Sequence, residues 1–502
     1  MQTLVFSFDG LDQQYLERYS GVMPTISRLR RTGTTAPLDP PVPQAPISAW
    51  TTVATGTAPH EHGIFDHRTR DGYPGSERPA NLADRNRPYV WEYLASQGAR
   101  AVVCGLPVMS AAPPSKCRIS RSDGENTTLI PGRNTRGPTT ATPASRPWTT
   151  ADVHSCSDLE VLLERRRRVC QDCLENEPWE LAIVHVPILT PRLLARLTRA
   201  DGADPETVRR RALHSADRLV EGLLDSVSET TTVIGCSPAG VRHVDGYAVH
   251  LNELLVEAGQ LERTAVAKQT GIRKVLERLT APLCNVTPSV TVSDENADAH
   301  RQHGETTAWA AYDWERSRAF CPSQTGGGIR LNVAGREPNG KITNSIYRET
   351  QQAVIDALAD CVDPDGNPAF EFVCRRDHLY PGRPPRDVPD VVVSTAGTNC
   401  TISTEPNRTP FSGFRGFVRS IPGHCFLTGP AVCGTTTRRL TGADIAPMVM
   451  ASLGRPVPER MTGLVPEGLF RDGEIRGTYR HVGERLGSLP ERSVTGEDDF
   501  RL

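Results

Sequence analysis

At 502 residues and a formal net charge of -2, the chain is long enough to bury a large core, and its charge balance selects no nucleic acid or acidic partner. No run approaches the roughly 18 consecutive apolar residues that a membrane span requires. The thirteen cysteines are odd in number and scattered through apolar segments, which points to buried free thiols in a reducing cytoplasm rather than to a disulfide framework.

The chain opens on a strand, Thr3 to Phe8, with no basic start or small-residue cleavage site, so a secretory signal is not expected. Helical patterns follow at Pro24 to Thr32 and Arg87 to Gln97, then an apolar strand at Ala101 to Cys104. Ser110 to Thr150 is rich in Pro, Thr, Ser and Arg and reads as a long loop or insertion. The run Glu164 to Arg168 lies in an amphipathic helix, Leu159 to Leu174, as a solvated face. That helix also holds the Cys170 and Cys173 pair, with no second pair at zinc-ribbon distance. Strands recur at Leu181 to Val186, Thr231 to Ile234 and Val391 to Val393.

Short buried strands alternating with helices imply an α/β fold, a doubly wound, mainly parallel sheet flanked by helices with its functional crevice at the carboxyl ends of the strands. The expected division is a first core part over 1–260, an inserted cap over 261–345, a second core part over 346–473 and a polar tail over 474–502. Lys268 to Phe320 lacks clear strands and belongs to the cap. At the end of the first strand, Asp9 is placed to hold a hard cation, and Gly10 lets the backbone turn beside it. The plainer reading of Asp9 is a cap on the next helix.

Several motifs stand in one order along the chain: Phe6-Ser7-Phe8-Asp9-Gly10; Ser48 through Gly56 with Pro59, His62, Gly63 and Ile64; Val249 to Leu261; Asp313 to Ala319; Leu331 to Gly340; Asp363 to Gly366; Val388 to Val393; Gly429-Pro430; and Asp444 to Gly463. Together they resemble the alkaline phosphatase superfamily, in its type I phosphodiesterase and nucleotide pyrophosphatase branch. The resemblance covers about residues 1 to 470. It implies two divalent cations (zinc, manganese or iron), six carboxylate and histidine ligands, and a hydroxyl nucleophile between the metals.

Matched one by one, most of those positions have lost their chemistry. Asp9 fits the first ligand. The nucleophile's place, ten residues before Gly56, is Pro46, and Ser48 is the candidate replacement if the loop shifts register. The next ligand pair falls on Thr190 and Leu194, the following pair on Pro238 and Ala239, and the last histidine on Arg419. One carboxylate cannot hold two cations against their mutual repulsion, so the metal site is expected to be degenerate and Asp9 to be left as an unpaired buried carboxylate. Arg419 would put a fixed positive charge where a cation stood, suited to a phosphate or another anion. His243 and Asp245 are candidates for a rebuilt mononuclear site with Asp9, their plainer reading being a polar turn; His62 is expected to be structural.

Three functions stay open: a non-catalytic binding or docking module, with a phosphate-containing small molecule or a protein as its partner; a hydrolase of phosphate or sulfate esters with a rebuilt site; and a structural or assembly protein. Any turnover is expected to be weak and to fall at least ~100-fold in Ser48→Ala.

Overall fold

The computed structural model describes residues 1–70, 77–80, 84–107, 118–120, 127–130, 152–202, 204–264, 311–323, 328–382, 388–420, 422–471 and 476–477. The chain forms two units. The first contains the described residues of Met1–His67, Ala80–Val244 and 416–477; the second contains those of Arg68–Pro79 and Asp245–Arg415.

The first unit is built on a nine-stranded sheet. Its strands are β1 (Thr3–Phe8), β2 (Thr34–Asp39), β5 (Ala101–Cys104), β6 (Arg118–Ser120), β7 (Thr127–Ile130), β8 (Leu181–Val186), β9 (Thr232–Ser237), β17 (Gly423–Thr428) and β18 (Leu440–Thr441), β3 and β4 being a short hairpin (Arg68–Arg70, Glu77–Pro79) of the other unit. The order is β18-β2-β17-β9-β1-β8-β5-β7-β6. The four central strands β9, β1, β8 and β5 run parallel, and β17 and β7 run antiparallel beside them. β1 and β8 are buried along their whole length on both faces, which is why they read as mainly apolar runs, interrupted by Ser7 and His185.

One face of the sheet packs on Trp50 of helix α3 (Pro46–Thr55) and on helices α5 (Val90–Ser96) and Ile445–Ser452. The other face packs on α1 (Gln13–Arg18), α2 (Pro24–Thr32), α6 (Cys156–Asn176), α7 (Pro191–Asp201) and α8 (Pro205–Leu224). The doubly wound α/β expectation is met.

Two local readings are corrected. Ser110 to Thr150 is not wholly loop, since β6 and β7 extend the sheet from within it; the remainder of that segment lies outside the described residues. Val391–Ser394 (β14) is a strand, but it belongs to the second unit, in an antiparallel sheet β11-β12-β14-β13 with Ala319–Phe320, Gly328–Leu331 and Phe372–Arg375. Most of Lys268 to Phe320 and nearly all of the tail after 474 lie outside the described residues. The described cysteines are free thiols, mostly buried, and Cys170 and Cys173 sit within α6 as expected. Among the described residues no helix is long and apolar enough to cross a membrane.

The second unit has its own apolar core around Leu251, Phe320 and Val354. Its polar centre is Asp390, fully buried, which accepts from the Leu331 amide, the Tyr347 hydroxyl and two Arg336 nitrogens, with Arg376 at 3.4 Å. Strand β10 (Gly240–His250) pairs there with β15 (Cys400–Ser403). The chain leaves the first unit within β10 and returns within β16 (Phe411–Ser420).

Candidate functional site

Asp9 follows directly on β1 at the carboxyl edge of the parallel strands. Gly10 holds φ +78, and a Cβ there would stand 2.3 Å from the Leu189 carbonyl oxygen, so only glycine fits this turn. Asp9 does not cap the next helix: Asp12 does, accepting from the Tyr15 amide at 2.9 Å. Alternation along β1 puts Ser7 and Asp9 on the same face as Val5, toward Trp50, while Phe6 and Phe8 point to the opposite core.

Two side chains contact the Asp9 carboxylate, and a third acts on it at longer range. Trp50 Nε1, delivered by α3, donates to Oδ1 at 3.2 Å. His185 Nε2 stands 3.1 Å from Oδ2. It comes from β8, whose register sets His185 beside Ser7. The third group, Arg419 of β16, acts on Asp9 electrostatically. Burial alone would raise the Asp9 pKa, but His185, Arg419 and the Trp50 N–H outweigh it, and the carboxyl is held below its ordinary value. Burial disfavours the Arg419 cation and Asp9 favours it. Asp9 is therefore paired, contrary to the expectation of an unpaired carboxylate, because the fold brings partners from three distant elements to it.

His185 is itself fixed on every side. With Asp9 ionised, its Nε2 carries the proton, and Nδ1 faces Ser7 Oγ at 3.2 Å. The Trp50 ring meets the imidazole edge-on at 5.2 Å between centroids, and Arg166 donates to the His185 carbonyl oxygen at 2.6 Å. Ser7, His185 and Asp9 thus stand in the order of a hydrolytic triad. Ser7 is fully enclosed in the middle of the sheet, however, so its hydroxyl orients the imidazole and cannot meet a substrate.

The other sequence candidates do not join this cluster. Pro46 is the first residue of α3, and Ser48 lies in that helix's first turn rather than in a loop; its Oγ is fully buried and has no hydrogen-bond partner among the described residues. His243 and Asp245 are not in a turn either: both are exposed on β10, His243 packing edge-on against Phe417 and Asp245 standing 3.6 Å from Arg415. His62 is structural as expected, fully buried, with Nδ1 accepting from the Ile64 amide and Nε2 bonded to Thr52.

The bimetallic site implied by the resemblance does not fit these residues. The Thr190 hydroxyl caps α7 by accepting from the Leu193 amide, Leu194 is buried in the apolar core, and Pro238 and Ala239 offer no side-chain donor atom. Among the described residues no group of three His, Cys, Asp or Glu side chains converges to hold a metal ion. Sequence reasoning missed His185 and Ser7. The signal was present: polar residues at facing positions near the ends of two otherwise apolar, adjacent strands.

Comparison with known proteins agrees with the fold. The family model described as type I phosphodiesterase / nucleotide pyrophosphatase matches residues 3–417. The chain is 37% identical over 70 residues to the human (Homo sapiens) and mouse (Mus musculus) ectonucleotide pyrophosphatase/phosphodiesterase family member 1, covering 14% of this chain and 8% of those proteins. The shared segment is thus a small part of either protein. With a family model matched along most of its length, the chain belongs to the type I phosphodiesterase/nucleotide pyrophosphatase family.

Proposed function

We propose that the chain is a non-catalytic member of its family whose crevice at Asp9 binds a phosphate-containing small molecule through Arg419, without the two divalent cations. One observation carries this reading: the carboxylate that would anchor a metal already meets Trp50 and His185, with the Arg419 charge acting on it from further off, all supplied by the chain itself. Both Asp9 oxygens already face N–H donors, which leaves the guanidinium fork of Arg419 to an incoming oxyanion. Ser48, the candidate nucleophile, has neither an exposed hydroxyl nor a base beside it.

The rival reading, an active metal-dependent hydrolase of phosphate or sulfate esters with a rebuilt site, draws its support from the family match alone. Calorimetric titration with inorganic phosphate, beside an assay with a chromogenic phosphodiester, separates the two. The binding reading expects saturable phosphate affinity that weakens at least about tenfold in Arg419→Gln, and negligible turnover. Robust turnover with added zinc or manganese, or phosphate affinity indifferent to Arg419, overturns it.

A further inference from the structure

The sheet of the first unit sets two cysteines face to face. The antiparallel register of β17 on β9 puts Cys425 directly opposite Cys236. Both side chains lie on the sheet face that packs under Trp50, and both are buried free thiols. Directly opposed residues of an antiparallel pair have Cα atoms about 4.5 or 5.5 Å apart, depending on their place in the ladder, and a disulfide spans Cα separations of about 4.4–6.8 Å. Register therefore brings these two residues within bonding reach at either kind of place. The other described strand cysteines are not so placed: Cys104 faces Val184 and Thr127, Cys374 faces Val392, and Cys400 faces Tyr247.

A bond between them would not be fully relaxed. Opposed Cβ atoms in a ladder stand about 4.5–5.5 Å apart, whereas a disulfide holds them about 3.8 Å apart, so the two strands must close slightly to make it. A disulfide formed at that cost is more easily reduced than an unstrained one. The surroundings decide when it can form. Burial raises the Cys236 thiol to about 12 and pushes the Cys425 thiol well up, with Cys236 adding to the effect. The thiolate is the attacking species, so the docked sheet protects both groups from oxidation. Reaction belongs to the time before β17 has docked on β9, or to its transient opening. The pair also adjoins the Asp9 cluster, since Cys236 is in register with Ser7 of β1, whose Oγ faces His185 Nδ1 at 3.2 Å.

We infer that Cys236 and Cys425 are a redox modification site, forming a reducible cross-strand disulfide as β17 docks on β9 in the presence of glutathione disulfide. The Cys425 thiolate attacks one glutathione sulfur, breaking that S–S bond and releasing a glutathione thiolate, which takes up the proton that Cys425 gave. The Cys236 thiolate then attacks the Cys425 sulfur of the mixed disulfide and releases the second glutathione in the same way. Two protein thiols together lose two electrons, and one glutathione disulfide is reduced to two thiols. The inference does not depend on the function proposed for Asp9.

The test refolds the full chain from urea in glutathione buffers that run from reduced to oxidised, alkylates the remaining thiols and maps the peptides by mass spectrometry. In oxidised buffer a peptide linked through Cys236 and Cys425 should be the main cross-link, and dithiothreitol should release it. Native protein given the same buffer without unfolding should form the link at least ~100-fold more slowly, because a thiol raised from its ordinary 9.0 to about 12 holds about a thousandfold less thiolate. The bond closes the long loop from residue 236 to 425, so the oxidised protein should melt higher than the reduced one by about 5 °C or more. Cys236→Ala and Cys425→Ala should each abolish both the link and the effect of the oxidant on melting. Recovery of both cysteines alkylated after oxidative refolding would make them plain core filling and overturn the inference. So would finding either one linked chiefly to another cysteine, a test that needs the wild-type chain alone.

Discussion

Replacing Asp9 by Asn tests the central network directly. Asp9 accepts two N–H groups on separate oxygens and compensates Arg419, with its side chain about 10% exposed, so solvent screens little of this. Asparagine keeps one oxygen for Trp50 but turns an N–H toward His185 Nε2, and it leaves Arg419 without its anion. Losing one charge-assisted hydrogen bond costs about 1.5–3 kcal/mol, and leaving a buried charge unpaired brings the total toward roughly 3–5 kcal/mol. Partial rescue by an imidazole tautomer that donates to Ser7 instead would lower it, so the expected loss is about 2–4 kcal/mol at neutral pH. The pH dependence has a definite sign. A carboxyl held below its ordinary value of 3.8 in the folded state contributes stability that is present above that value and disappears as pH falls through the folded value. Urea unfolding of both proteins should therefore show a wide gap at neutral pH that closes in strong acid. An Asn variant as stable as the wild type at neutral pH would refute the argument, and with it the claim that Arg419 and His185 replace the cations.

Other perturbations separate structural from functional parts. Ser48→Ala removes a buried hydroxyl without a partner and should leave stability unchanged or raise it by about 1 kcal/mol, measured in the same urea melts; a clear loss would reveal a bond made by that hydroxyl. In the second unit Asp390→Asn should cost about 3–5 kcal/mol, because it breaks a buried pair with Arg336. Its carboxyl is pulled down to about 2, burial being outweighed by Arg336 and Arg376, so wild-type stability from this group should persist above pH 3.8 and fade as pH drops below 3.8 toward about 2, as calorimetry at a series of acidic pH values can check.

Much of the first unit could be read from the chain because its central strands are buried on both faces. Thr3–Phe8, Ala101–Cys104 and Leu181–Val186 are mainly apolar, fully buried runs, and local pattern fixes them. The strands outside the parallel centre, β2, β6, β7 and β17, were not legible, since β2 contains Pro37 and alternates in burial, and β6 and β7 are only 3 and 4 residues long. At the site, Asp9 and Arg419 were found by position in a motif. His185 was not, because its role depends on the pairing of β1 with β8, strands separated by more than 170 residues. The same dependence explains the error over Asp9's partners. Pattern reports which face a side chain takes; it does not report what the opposite element delivers to that face.

The source of the compensating charge leads to a last prediction. In a site built for divalent cations, the carboxylates repel one another until metal enters, so folding is linked to metal and stability rises with its concentration. Here the positive and N–H groups around Asp9 are covalent parts of α3, β8 and β16, so the charge is balanced as soon as the sheet forms. A metal ion would have to displace His185 from Asp9 and approach Arg419 against its charge, with Thr190, Leu194, Pro238 and Ala239 offering no second ligand set. The melting temperature should therefore be the same in excess chelator and in added zinc, manganese or iron, and the purified protein should hold well under one equivalent of metal per chain. For scale, a cation present at 100 times its Kd would add about 2.7 kcal/mol. A metal-dependent rise of that size, or two tightly held equivalents by elemental analysis, would show that the ligands of a working site come from residues other than those matched here.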